Sequence, residues 1–243
     1  MLISVHLPKT AGTSFERSLR QHFGAQLKRR YADKPLHQHP LRRNLRAARE
    51  GLCGRRREEA ASPACVHGHF LPLSYRHLAR RADVTFVTWL REPIDRLLSH
   101  YHYWRRLPMP TTTGARDTAQ DTTQHKMQDK LWRRMREENW SFEQFAQRRE
   151  LRNVYRAFLW GFPVERFDFI GITEHYASDL REFGQRFLDR DLRPADENRN
   201  PEHRAGGDGY SIDRGLRDKL ERLHARDLAL YRFALERRAR RAA

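Results

Sequence analysis

The sequence has little cysteine, little lysine and no long apolar run. Its two cysteines, Cys53 and Cys65, form no C-x-x-C pair and have no histidine partners at zinc spacing, which argues against a zinc module and a disulfide scaffold. Free thiols in a reducing compartment are expected, and whether the two pair is left open. No apolar stretch approaches the roughly 20 residues of a membrane span. The first such stretch, Leu2 to Leu7, is too short for the core of a signal peptide and runs straight into a motif. A cytoplasmic protein with no transmembrane segment is the expectation if the chain is complete at its start. No internal repeat is evident.

Of 48 basic residues only six are lysine; with 31 acidic residues the formal net charge is +17. Such a balance favours anionic partners: nucleic acid, acidic lipid, nucleotides or acidic glycans. A GC-rich genome would also produce an arginine excess, and the two readings are compatible. Hydrophobic residues make up 38% of the 243, enough for a globular core, so residues 1–243 read as one domain.

Strand signals fall at Leu2 to Leu7, Val84 to Leu90 and Phe167 to Ile172, and Cys65 to Phe70 reads as a short strand leading to a loop. Helical spacing follows the first three of them. Phe15, Leu19 and Phe23 mark a helix that Thr13 or Ser14 can cap. Pro93 suits the first turn of a helix carrying Ile94, Leu97, Leu98 and Tyr101. Two or three helices lead to Gly161, another covers Tyr176 to Leu188, and one runs from Asp213 to the C-terminus. Residues 24–64 read as arginine-rich and irregular, 107–127 and 194–210 as loop. Strands alternating with helices predict a three-layer α/β sandwich around a parallel sheet, with ligands beyond the C-terminal strand ends.

Two segments carry chemistry at such ends. His6-Leu7-Pro8-Lys9-Thr10-Ala11-Gly12-Thr13-Ser14-Phe15 joins the first strand to the first helix. This junction presents backbone N–H groups and the positive helix end to an anion. Gly12 permits close approach, Lys9 adds charge, and Thr10, Thr13 and Ser14 add hydroxyls. The nucleoside-triphosphate motif G-x-x-x-x-G-K-[ST] is absent, since the lysine here precedes the glycine. The second segment, Leu90-Arg91-Glu92-Pro93-Ile94-Asp95-Arg96-Leu97-Leu98-Ser99-His100-Tyr101, ends the best strand and enters a helix. Ser99 is eight residues beyond Arg91, about two helical turns, so an arginine fork and a hydroxyl can face one phosphate monoester. Asp95 and Arg96 read as a solvated helix pair. Between the segments lies His67-Gly68-His69-Phe70.

The first segment resembles the 5′-phosphosulfate loop of sulfotransferases that use 3′-phosphoadenosine 5′-phosphosulfate (PAPS), in the P-K-T-[AG]-G-T-[ST] form of the heparan sulfate 2-O-sulfotransferase group and its bacterial relatives. The second is similar to their 3′-phosphate motif R-[DE]-P-x-x-R-x-x-S-x-[YF], and the group carries a similar H-G-H between the two. The resemblance implies a P-loop-like phosphosulfate-binding loop, with Pro8, Lys9, Thr10, Ala11, Gly12, Thr13, Ser14 and Phe15 on the 5′-phosphosulfate and Arg91 and Ser99 on the 3′-phosphate. It makes His69 the catalytic base, Lys9 the charge on the leaving group, His67 a helper that orients substrate or tunes the base, and Arg96 mainly structural. The product would be 3′-phosphoadenosine 5′-phosphate (PAP), the acceptor a hydroxyl of a glycan or glycoconjugate, with no metal and no nucleic acid. Asn153 to Gly161, Phe169 to Glu174 and Asn198-Arg199-Asn200-Pro201 resemble later parts of the family. The rival readings are a P-loop-type small-molecule kinase and a basic nucleic-acid-binding protein.

Overall fold

The computed structural model describes residues 1–33, 35–54, 63–108, 128–194 and 212–242. Five strands form one sheet: β1 (Leu2–Val5), β2 (Leu27–Arg29), β3 (Cys65–Gly68), β4 (Thr85–Leu90) and β5 (Phe169–Ile172). Their spatial order is β2-β3-β1-β4-β5, and every pair is parallel. Nine helices accompany them among the described residues: α1 (Gly12–Phe23), α2 (Pro40–Cys53), α3 (Pro93–Arg106), α4 (Gln128–Glu137), α5 (Phe142–Ala146), α6 (Val154–Phe158), α7 (Tyr176–Leu188), α8 (Arg214–Leu223) and α9 (Ala225–Ala242).

Strand alternation sorts the core into layers. Ile3 and Val5, with Val66, Phe86, Ile170 and Ile172, pack on Tyr155 and Phe158 of α6 and Tyr231 and Ala234 of α9. Leu2, Cys65, Val87, Trp89 and Phe169 face the other way, onto Phe15 and Leu19 of α1 and Leu180 and Phe183 of α7. Both faces of the sheet are thus covered, as the continuous apolar strand runs require. Each fully buried side chain of this kind contributes about 1.5–3 kcal/mol. A third cluster, built on Ile94, Leu97, Tyr101 and Trp104 of α3, joins that helix to α4, α5 and α8. The expected three-layer α/β sandwich is therefore the architecture found.

The order of the strands locates a ligand crevice. From β1 the chain moves toward β2 and returns to β3; from β4 it moves the opposite way, to β5. The segments leaving β1 and β4 diverge between adjacent strands, and in open α/β sheets such a switch point is where ligands sit. The register pairs Val5 with Thr88, and the Thr88 hydroxyl donates to the Val5 carbonyl at 2.9 Å, so β4 runs two residues, Trp89 and Leu90, past the level at which β1 ends.

Several local expectations change. β2 lies inside the segment read as irregular; it is a three-residue edge strand whose Lys28 and Arg29 are exposed. Neither Thr13 nor Ser14 caps α1: the N-cap is Ala11, in the left-handed region, and both hydroxyl residues fall inside the first turn. The C-terminal helix is two helices, α8, capped by Asp213 on the Leu216 amide at 3.0 Å, and α9, separated by the buried His224. Pro93 does open α3, and the Glu92 carboxylate caps it on the Asp95 amide at 2.7 Å. Most of the two long loops, 109–127 and 195–211, and with them Asn198 to Pro201, fall outside the described residues.

Candidate functional site

Three motif segments leave the same end of adjacent strands β3, β1 and β4: Gly68-His69, His6 to Ser14, and Arg91 to Ser99. The loop after β1 is tightly curled. Lys9 and Ala11 both take left-handed backbone (φ 68° and 61°), which costs a non-glycine residue energy. Alternating left- and right-handed residues turn successive N–H groups into a concave nest for an anion, here at the N-terminus of the twelve-residue α1. The Thr10 hydroxyl donates to the Leu7 carbonyl at 2.8 Å and is wholly buried, so it braces the loop. Thr13 is exposed and Ser14 half-buried at the first turn. Gly12 is required by packing: a Cβ there would lie 1.9 Å from His6 Nε2.

Lys9 reaches toward α3, its Nζ 4.0 Å from the centroid of the Tyr103 ring. Burial lowers its pKa to about 8, and the charges of Arg91 and Arg106 add to the effect. Lys9 and Arg91 thus feel each other as like charges across the gap between the β1 and β4 segments. Like charges held this close favour an anion between them. Arg91 has its backbone pinned by Tyr155, whose hydroxyl accepts from the Arg91 amide at 3.0 Å and donates to its carbonyl at 2.6 Å. Ser99 lies half-buried on α3. Asp95 and Arg96 are not a solvated pair: Arg96 is fully buried over the Tyr155 ring, 5.7 Å to the centroid, whereas Asp95 is partly exposed and reaches Arg217 at 3.8 Å.

The two histidines of H-G-H have different surroundings. His67 is buried, with Nδ1 2.7 Å from the Ser4 hydroxyl, and burial holds its pKa down at about 3. It contacts the site through the stacked His6 ring, at 5.3 Å. His69 is half-exposed, and its Nδ1 is 2.6 Å from the His6 carbonyl. A carbonyl can only accept, so in neutral His69 the hydrogen is on Nδ1 and the lone pair on Nε2. That is the tautomer a general base needs.

Three contributors were not singled out from sequence: His6, Tyr31 and Glu16. The His6 ring lies 4.3 Å from that of His69, and its Nδ1 is 3.0 Å from the Tyr31 hydroxyl. Tyr31 donates to Glu16 at 2.7 Å. Burial, then the charges of His69, His67 and Lys9, hold the His6 pKa well below its ordinary value, so His6 is neutral. A pocket of about 590 Å³ lined by Arg76, His77, Arg80, Phe162 and Arg166 shares no residue with these motifs. Among the described residues no group of three or more His, Cys, Asp or Glu is arranged to hold a metal ion, and no helix is long and apolar enough to cross a membrane.

No protein-family model and no curated protein matches the sequence. Among solved structures, the chain is similar to a sulfotransferase from Alicyclobacillus acidocaldarius, with 17% identity, a TM-score of 0.44, and coverage of 94% of this chain and 92% of that one. Likeness at this level assigns neither donor nor acceptor.

The depressed pKa of Lys9 gives a pH test. Above about pH 8 the ammonium of the free protein loses its proton, and a bound phosphate returns it. Affinity for a phosphate-bearing ligand such as PAP should therefore fall as pH rises through 8 if Lys9 contacts it. Calorimetry at pH 8.5 in buffers of different ionisation enthalpy should show proton uptake on binding, absent in Lys9→Met. Equal enthalpies across buffers for the native protein would remove Lys9 from the anion site.

Proposed function

We propose that the protein is a PAPS-dependent sulfotransferase acting on a hydroxyl of an anionic glycan. The observation that carries this reading is the strained loop at β1 with Lys9 coupled to Arg91 across the β1/β4 switch point. In this reading the two segments serve two separate phosphates, as a nucleotide with 5′- and 3′-phosphates requires. The loop from Pro8 through Phe15 holds the 5′-phosphosulfate, while Arg91 and Ser99 take the 3′-phosphate that distinguishes this donor from ATP.

Sulfuryl transfer needs in-line geometry, a neutralised leaving group and an activated nucleophile. His69 Nε2 accepts the proton of the acceptor hydroxyl as its oxygen bonds to sulfur. The bond from sulfur to the 5′-phosphate oxygen breaks, and its electron pair leaves with PAP. Lys9 and the amides of residues 10–14 stabilise the charge that grows there. The proton on His69 then passes to solvent. His67, buried behind His6, fits the tuning role rather than contact with the acceptor. The protein is taken to act in the cytoplasm.

The acceptor follows from charge. A net charge of +17 steers a polyanion, and steering weakens with ionic strength. A screen of hydroxyl acceptors with sulfur-labelled donor is expected to favour acidic glycans, with a rate that falls on adding salt. Preference for a neutral phenol without salt dependence would overturn the glycan acceptor. No transfer to any hydroxyl, with phosphoryl transfer from ATP and magnesium instead, would favour a kinase.

A further inference from the structure

We infer that Glu16 and Tyr31 are positioning residues, which act through His6 to fix the tautomer and orientation of His69. The inference rests on the reading of His69 as the base. Four elements converge to build the arrangement: Glu16 lies on α1, His6 follows β1, Tyr31 follows β2 and His69 follows β3. The direction of each hydrogen bond follows from the available hydrogens. The Tyr31 hydroxyl has one hydrogen and donates it to Glu16 Oε2 at 2.7 Å. At its 3.0 Å contact with His6 it must therefore accept, so the His6 hydrogen is on Nδ1. The His6 amide donates to the Gly68 carbonyl at 2.8 Å, and the His6 carbonyl accepts from His69 Nδ1 at 2.6 Å. His6 is thus held at its ring, its amide and its carbonyl, and the carbonyl orients the base as a carboxylate does in a catalytic triad.

Packing restricts His69 in the same sense. The His6 ring covers one side at 4.3 Å, and the Tyr31 ring meets it edge-on at 4.9 Å. The chain acts by geometry rather than by charge. Glu16 is already paired with Arg20 at 2.7 Å and Arg29 at 2.8 Å, so its charge is partly balanced before it acts on the buried His67. Burial raises its pKa, but the hydrogen bond from Tyr31, the Arg29 charge and the hydrogen bond from Arg20 more than offset this and keep it ionised. Burial, with the Glu16 charge and hydrogen bond, raises the Tyr31 pKa, so the phenol keeps the hydrogen it donates.

The test is a histidine ¹⁵N–¹H correlation spectrum of the full chain, which reads tautomers without substrate. In the native protein His6 and His69 should both carry hydrogen on Nδ1. In Tyr31→Phe, the His69 signals should move toward a tautomer mixture, turnover should fall about tenfold or more, and the affinity for PAP should stay within about twofold. Glu16→Ala is the second variant. There the Tyr31 hydrogen is released to donate to His6 Nδ1, and His6 should switch to the Nε2–H form, a change that loss of packing alone would not produce. Unchanged tautomers of His69 in folded Tyr31→Phe and of His6 in Glu16→Ala would overturn the inference. Shifted tautomers with native turnover would uphold the positioning chain and overturn the reading of His69 as the base.

Discussion

Replacing His69 with alanine should lower turnover by about 10²–10⁴-fold while leaving PAP affinity nearly unchanged. The expectation combines two features. His69 is the half-exposed histidine of the H-G-H pair and carries its lone pair on Nε2, and the segments proposed to bind the phosphates follow β1 and β4 rather than β3. His67→Ala should behave differently. His67 is buried and bonded to Ser4, so its loss should lower the melting temperature more than turnover. Steady-state kinetics with calorimetry on the two variants separates these outcomes. A fully active His69→Ala would remove the base, with His67 and then His100 or His102 as the next candidates. Of these His67 and His100 are buried, whereas His102 is partly exposed.

The second large effect divides Lys9 from Arg91. Lys9→Ala should chiefly lower turnover, by about 10²–10³-fold, because its charge matters most where the leaving group becomes more negative. Arg91→Ala should chiefly weaken PAP binding, by about 10- to 100-fold, the usual range for losing hydrogen bonds to a charged group. The backbone of residue 91 is held by Tyr155 through N–H and C=O, so removing the side chain should leave the local fold intact. Unchanged affinity in Arg91→Ala would end its assignment to the 3′-phosphate.

How much of this could be read in the sequence depended on range. β1, β4 and β5 were legible because buried parallel strands read as apolar runs, β3 only as a short start at Cys65 and Val66 before the histidine pair, and α3 because Pro93 and its apolar spacing mark the start. β2 was not, because an edge strand of three residues with exposed Lys28 and Arg29 has no apolar signature. The α8–α9 break was hidden as well. No glycine or proline marks it, and only a change of partner does: Leu220 belongs to the α3 cluster, whereas Leu230 and Tyr231 pack under the sheet. The loop lysine, the arginine and the histidine pair were legible because each is a local pattern. Glu16, Tyr31 and His6 are 10 to 25 residues apart, and only the parallel register brings them together. Arg96 was left open because its spacing suits a solvated pair equally well, and only burial decides between the two.

The most direct test of the central claim is a calorimetric titration of the intact protein, in EDTA, with PAP and with adenosine 5′-phosphate lacking the 3′-phosphate. Two phosphate sites, one on each strand segment, predict binding of PAP without metal and at least about tenfold tighter than the 5′-phosphate alone. Equal affinity for the two nucleotides would contradict the account.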